Sequence, residues 1–175
     1  NLTSLPQSAN IQIHQYDSSS IPTLLKERLK GHAQRLSQLT NRVMDKLSVE
    51  DKQACLNSID IDNVDNELFD CLEELMVLCP TRYSRWGVDE VHKVFLGKNL
   101  DKGLSTWPQG TPVICSENQP DLQLSNGDIG LVIGEGAHRR LLFRIVLEGG
   151  KSATRFIHPA RLNTIEPALA MTIHK

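Results

Sequence analysis

From Trp107 onward the chain is written in short apolar segments broken by Gly and Pro, and this punctuation limits the available folds more than any other feature. Pro112 to Ser116 reads as one strand. The turn signal Asn126-Gly127-Asp128 leads into another at Ile129 to Ile133. Leu141 to Leu147 and Ser152 to Ile157 flank Gly149-Gly150, a pair suited to a tight hairpin because glycine accepts the positive φ such turns require. Four or five short strands in so little chain predict a small all-β barrel, too small to enclose an enzyme pocket of its own. Ala168-Leu169-Ala170-Met171 is apolar again, so the barrel reads as an insertion into another layer.

The residues before Trp107 describe that layer. Ile11-Gln12-Ile13-His14 alternates like a strand remnant and runs into the Asp17 to Ser20 loop. Ser20 is a candidate N-cap with Pro22 in the first turn. Leu24, Leu25, Leu29, Leu36, Leu39, Val43 and Leu47 then recur at helical spacing, with Gly31 the place for a bend. Ser48 with Asp51 resembles a capping box opening a short helix through Leu56, and Asn63 to Leu75 supplies a third. At Met76-Val77-Leu78-Cys79 the period vanishes and four apolar residues run together until Pro80, as in a strand buried in a parallel sheet. After an elbow from Thr81 to Trp86, Val88, Val91, Val94 and Phe95 restore helical spacing up to the C-cap Gly97. Strand, elbow and helix form an α/β unit whose elbow lies at the C-terminal end of its strand, where open α/β sheets carry their binding loops.

Composition fits a globular chain of 175 residues, 39% hydrophobic and 23% charged. No window approaches the roughly 18 uninterrupted apolar residues of a membrane span, and the first residues lack a signal peptide's basic and apolar stretches. A soluble, cytoplasmic protein without a membrane partner is expected. The first residue is Asn1 and the chain stops at Lys175 straight after an apolar run, which reads as an excerpt of something longer. The net charge of −2 hides a polarity. Asp45 to Glu74 holds ten carboxylates and two lysines, whereas Arg139 to Arg161 holds six basic residues and one Glu. Cys55, Cys71, Cys79 and Cys115 make no CxxC pair, so buried reduced thiols are expected. The histidines form no compact ligand pair, and GxxxxGK[ST], GxGxxG, GxSxG and HExxH are all missing. No metal site and no catalytic residue is expected within these residues.

Two segments stand out when read together. Leu124-Ser125-Asn126-Gly127-Asp128-Ile129-Gly130-Leu131-Val132 and, downstream, Ala168-Leu169-Ala170-Met171-Thr172-Ile173-His174-Lys175 resemble the second motor domain of RecD-type DNA helicases of superfamily one. In that family an Asn-Gly-Asp-x-Gly turn marks an inserted barrel of the Src-homology kind, and the Thr-Ile-His-Lys strand and loop open helicase motif five. Val77-Leu78-Cys79-Pro80-Thr81-Arg82 and Trp86-Gly87-Val88 look like the family's strand and Arg loop. Val91-His92 stands where Leu-Asn is usual.

The resemblance implies an α/β, RecA-like motor-domain fragment with a helical N-terminal arm and an inserted small all-β barrel. Its parts would be a helical arm over 1–66, an α/β piece with the Arg loop over 67–106, the barrel over 107–165, and a returning strand over 166–175. It implies an ATP-dependent 5′-to-3′ DNA helicase acting in recombinational double-strand-break repair, like the alpha subunit of exodeoxyribonuclease V. ATP and Mg²⁺ would be bound mainly outside these residues, against a first motor domain. Single-stranded and duplex DNA and the other exodeoxyribonuclease V subunits would be the partners.

A translocating motor holds a strand through phosphates and sugars, which calls for short polar donors and cations on loops at strand ends. Thr81, Arg82, Arg85, Thr172, His174 and Lys175 meet that description if the two strands are parallel. Arg139, Arg140, Arg144, Arg155 and Arg161 offer a DNA path over the barrel, or simply keep it soluble. Two other readings stand beside this one: a non-enzymatic module that docks a protein through its acidic helices, and a motor fragment of a conjugative relaxase or transposon helicase.

Overall fold

In the computed structural model, residues 20–46, 60–61, 66–146, 152–162 and 164–173 are described. The expected strand remnant at Ile11 to His14, the short helix from Ser48 to Leu56 and the Gly149-Gly150 loop lie outside them, as do Cys55, His174 and Lys175.

Helix α1 spans Thr23–Lys46 without interruption at Gly31. Its buried positions Leu29, His32, Leu36, Leu39, Thr40 and Val43 fall three or four apart, the spacing that keeps one face of a helix against a core. Thr40 would be a misfit on that face, but its hydroxyl donates to the Leu36 carbonyl oxygen at 2.7 Å. Helix α2 (Asn66–Glu73) buries Leu68, Phe69, Cys71 and Leu72 beside it. Helix α3 (Val88–Leu96) buries Val88, Val91, His92 and Leu96, and ends as expected at Gly97, whose N–H donates to the Lys93 carbonyl.

The strands form two sheets. Strands β2 (Val77–Cys79) and β8 (Ala170–Thr172) make a two-stranded parallel sheet. The other sheet runs β1 (Asp60–Ile61), β6 (Ser152–Ile157), β5 (Arg140–Val146), β4 (Ile129–Ile133), β3 (Pro112–Cys115), β7 (Ile165–Pro167), antiparallel throughout. This differs from the expected barrel in two respects. Its hydrogen bonding does not close into a ring among the described residues, since β1 and β7 are edges. It also recruits chain from outside 107–165, because Asp60 and Ile61 pair with Arg155 and Thr154.

Both faces of that sheet are covered, which alternation along β4 to β6 explains. Leu131, Ile133, Leu142 and Phe156 meet Leu36, Leu39, Val43, Leu68 and Phe69 of the helices. Val113, Val132, Leu141, Phe143, Ile145 and Ile157 form a second core on the opposite face, with Trp107, Leu122 and Leu124. Gly130 lies opposite Phe143 in a close approach of β4 to β5. A Cβ there would lie 2.5 Å from the Leu142 carbonyl oxygen and 2.7 Å from the Phe143 ring, so no larger residue fits. Helix α1 joins the two sheets. Its C-terminal half packs on the large sheet, and near its start Ile21 and Leu29 share a third core with Cys79, Val88, Val91, Leu169 and Ala170. Cys71, Cys79 and Cys115 are buried free thiols. No helix of the described residues is long and apolar enough to cross a membrane.

Candidate functional site

Strands β2 and β8 run the same way, with Val77 opposite Ala170 and Cys79 opposite Thr172. Their C-terminal ends therefore open on one side of the molecule, so the Arg loop after β2 and the end of the returning strand meet. Pro80 stops β2, and the elbow after it is wound tightly. The Gly87 N–H donates to the Ser84 carbonyl at 2.8 Å, and the first two N–H groups of α3 donate to the Thr81 and Arg82 carbonyls at 3.2 Å. The elbow thus supplies acceptors to helix donors that have no intrahelical partner. Gly87 is required by space, since a Cβ would stand 2.4 Å from the Arg82 carbonyl oxygen.

This winding turns Arg82 into a cleft of about 150 Å³, lined also by Ser116, Asn126, Glu166 and Thr172. Three expectations converge here: the Arg loop, the returning strand and the Asn-Gly-Asp turn. The turn is fixed by its own side chains. The Asp128 carboxylate accepts from the Ser125 N–H, and the Asn118 amide oxygen from the Asn126 N–H, both at 2.8 Å. Ser116, read only as the end of a strand, and Glu166, in a β7 of three residues that carries no pattern, were not expected here.

Arg82 hydrogen-bonds the Glu166 carboxylate and lies 3.7 Å from Asp89. The Glu166 hydrogen bond raises the guanidinium's pKa further above its ordinary value, with Asp89 adding to the effect. Both partners are about two-fifths exposed, at 42% and 41%, so the pair is worth no more than about 1 kcal/mol. An incoming phosphate, which accepts two parallel hydrogen bonds from a guanidinium, is a strong competitor for it. Thr81 is exposed, with its hydroxyl donating to Ser84 Oγ at 2.6 Å, and Arg85 is exposed on the same elbow. His174 and Lys175 lie outside the described residues.

His92, the departure from the family's Leu-Asn, is 2% exposed behind the cleft. Its Nε2 accepts from the Ala170 N–H at 3.2 Å, tying α3 to β8. Burial lowers its pKa to about 4, outweighing the carboxylates of Asp89 and Glu166, so the ring is neutral with its proton on Nδ1.

The arginines of the large sheet do not share a surface. Arg139 donates to the carbonyls of Leu104 and Trp107. Arg140 is 6% exposed. Arg144 stacks 4.4 Å from the Phe69 ring centroid, with Glu73 at 3.8 Å. Arg155, opposite Phe143 and so on the other face from Arg144, donates to the Leu122 carbonyl at 2.8 Å. Arg161 is exposed on the turn before β7. Two carboxylates of the acidic stretch form ion pairs with α1, Glu67 with Arg42 at 2.8 Å and Glu74 with Arg35 at 2.5 Å. A larger groove of about 520 Å³ between α1 and α3 is lined by Leu29, Val94, Phe95 and Pro108, together with Lys26 and Lys30. Gln34, Ser37 and Gln109 complete its polar lining, but none of the segments singled out by sequence reaches it.

No protein-family model matches the chain. A stretch of 108 residues is 32% identical to the RecBCD enzyme subunit RecD of Mycolicibacterium smegmatis. That stretch is 59% of this chain and 18% of that protein, so the chain spans less than a fifth of the curated relative it matches. The match supports a RecD-like relation for part of the chain, in agreement with the motifs.

Proposed function

We propose that this chain is a piece of the second motor domain of a RecD-like, ATP-dependent DNA helicase, and that the Arg82 cleft holds single-stranded DNA. The observation that carries the reading is the convergence of Arg82, Asn126 and Thr172 in one cleft at the ends of two parallel strands. Thr172, Asn126 and Ser116 offer short uncharged donors for phosphate and sugar, and Arg82 the cation. Glu166 occupies Arg82 until a phosphate replaces it.

The small parallel sheet also supports membership of a larger domain. Parallel sheets are nearly always covered on both faces, yet Leu78 of β2 is 59% exposed, with Tyr83 and Ile173 exposed nearby. In this reading β2 and β8 belong to a RecA-like core, and β3 to β7 of the antiparallel sheet are the insertion of the Src-homology kind, with its ring left open and β1 added at its edge. The whole protein would bind ATP and Mg²⁺ against a first motor domain, move 5′ to 3′ on DNA, and act in double-strand-break repair with the other subunits of an exodeoxyribonuclease V. His92 is a positioning residue that holds β8 and Thr172 against α3.

The test is fluorescence anisotropy of a labelled oligothymidine with the chain and two variants. Arg82→Ala removes a charge-assisted contact and is expected to weaken binding about tenfold or more. Glu166→Gln frees Arg82 and is expected to tighten it by up to about fivefold, the equivalent of a half-exposed ion pair. Unchanged affinity in both variants defeats the assignment of the cleft.

A further inference from the structure

Between α1 and the end of α2 lies a cluster that the helicase reading does not use. His32 is 7% exposed on the buried face of α1, and its Nε2 has no hydrogen-bond partner. Cys71, 1% exposed, faces it from α2, and Glu74 follows in the turn that ends that helix. A His nitrogen, the Cys71 Sγ and a Glu74 carboxylate oxygen all lie within 4.8 Å of one another. An orphaned imidazole nitrogen in a core loses about 1–3 kcal/mol of hydrogen bonding to water, and an apolar residue would avoid the loss. Its presence beside a thiol and a carboxylate calls for an occupant.

We propose that His32, Cys71 and Glu74 bind one divalent zinc-class cation that pins helix α1 to the end of α2. One nitrogen, one sulfur and one oxygen ligand form a set that zinc accepts and that magnesium and calcium, which prefer oxygen, do not. Bond lengths of about 2.0–2.3 Å in a tetrahedron bring ligand atoms to roughly 3.5 Å apart, so the cluster closes by about 1 Å on binding. Glu74 supplies the movement, because it lies in a turn with a side chain 47% exposed. Arg35 holds both of its oxygens, at 2.5 and 3.2 Å. The longer of these bonds yields to the metal while the shorter one orients the carboxylate, as a hydrogen-bonded partner does for ligating carboxylates generally. Cys71 loses its thiol proton to solvent as the metal–sulfur bond forms, so the thiolate and carboxylate together balance the ion's two charges. A water completes the fourth position.

The experiment is a cobalt(II) titration of the chelator-treated 175-residue chain, with zinc(II) as competitor. The expected result is a thiolate-to-metal charge-transfer band that saturates at one equivalent of cobalt and is abolished by one equivalent of zinc. Cys71→Ser removes the band, and Cys115→Ser, in a separate core, leaves it. Glu74→Gln weakens binding at least tenfold. Its side chain is half in solvent, so this variant folds and decides the matter if Cys71→Ser does not. No band at one equivalent, a band that survives Cys71→Ser, or Glu74→Gln binding as tightly as the unsubstituted chain overturns the site.

Discussion

Replacing His92 by Gln tests the local architecture behind the cleft. The imidazole is buried, accepts from the Ala170 N–H, and has its pKa lowered to about 4 from 6.5. Burial is the main cause and Arg82 assists, while Asp89 and Glu166 oppose it. Because the folded value is the lower one, the unfolded chain takes up a proton first. Above pH 6.5 the group costs nothing; below it, stability falls until the folded state also protonates near pH 4. The slope approaches one proton, about 1.4 kcal/mol per pH unit, and the whole window amounts to about 3 kcal/mol. Glutamine keeps an acceptor for the Ala170 N–H and does not titrate. The assay is urea unfolding followed by tryptophan fluorescence at intervals from pH 7 to pH 4. Carboxylates common to both chains cancel in the difference between their unfolding free energies. His92→Gln is expected to gain up to about 3 kcal/mol on the unsubstituted chain over that interval, whatever its deficit at pH 7. Parallel stability curves refute a buried neutral acceptor at this position.

Further outcomes follow from single contacts. Phe143→Ala empties the centre of the large sheet's second core, where the ring is fully buried, and should cost about 3–5 kcal/mol in the same unfolding assay. Gly31→Ala lies inside α1 with nothing within 4 Å of the added methyl, and should raise stability by about 1 kcal/mol. Gly87→Ala drives a methyl into the Arg82 carbonyl; it should lower single-stranded DNA affinity by displacing the elbow while circular dichroism stays near that of the parent chain.

The elements most legible in sequence are those whose signal is local. The stripe from Leu29 to Val43 on α1, the strand at Val77 to Cys79 stopped by Pro80, and the Gly97 cap form where their spacing and chemistry predict, but the strand is not the buried one expected, since only Cys79 is buried and Leu78 is 59% exposed. So does the parallel pairing that brings Arg82 and Thr172 together. What was not legible depends on contacts distant in sequence. Nothing near Glu166 predicts that it meets Arg82, and β1, two residues long, owes its existence to the β6 edge. The charge asymmetry does not by itself mark a surface, for a related reason. A count of arginines from Arg139 to Arg161 cannot distinguish a cation facing solvent from one donating to carbonyls of Leu104, Trp107 or Leu122, or stacked on Phe69. His32 and Cys71 are separated by the whole second half of α1 and the segment after it, so no ligand spacing is visible.

The central claim is that the Arg82 cleft couples bound single-stranded DNA to a motor. The most direct measurement is ATP hydrolysis by a longer protein that carries these residues together with a phosphate-cradling loop, with and without single-stranded DNA. Hydrolysis should rise on adding single-stranded DNA, with Arg82→Ala losing the stimulation and keeping the basal rate. Hydrolysis indifferent to DNA, or stimulation unaffected by Arg82→Ala, contradicts it.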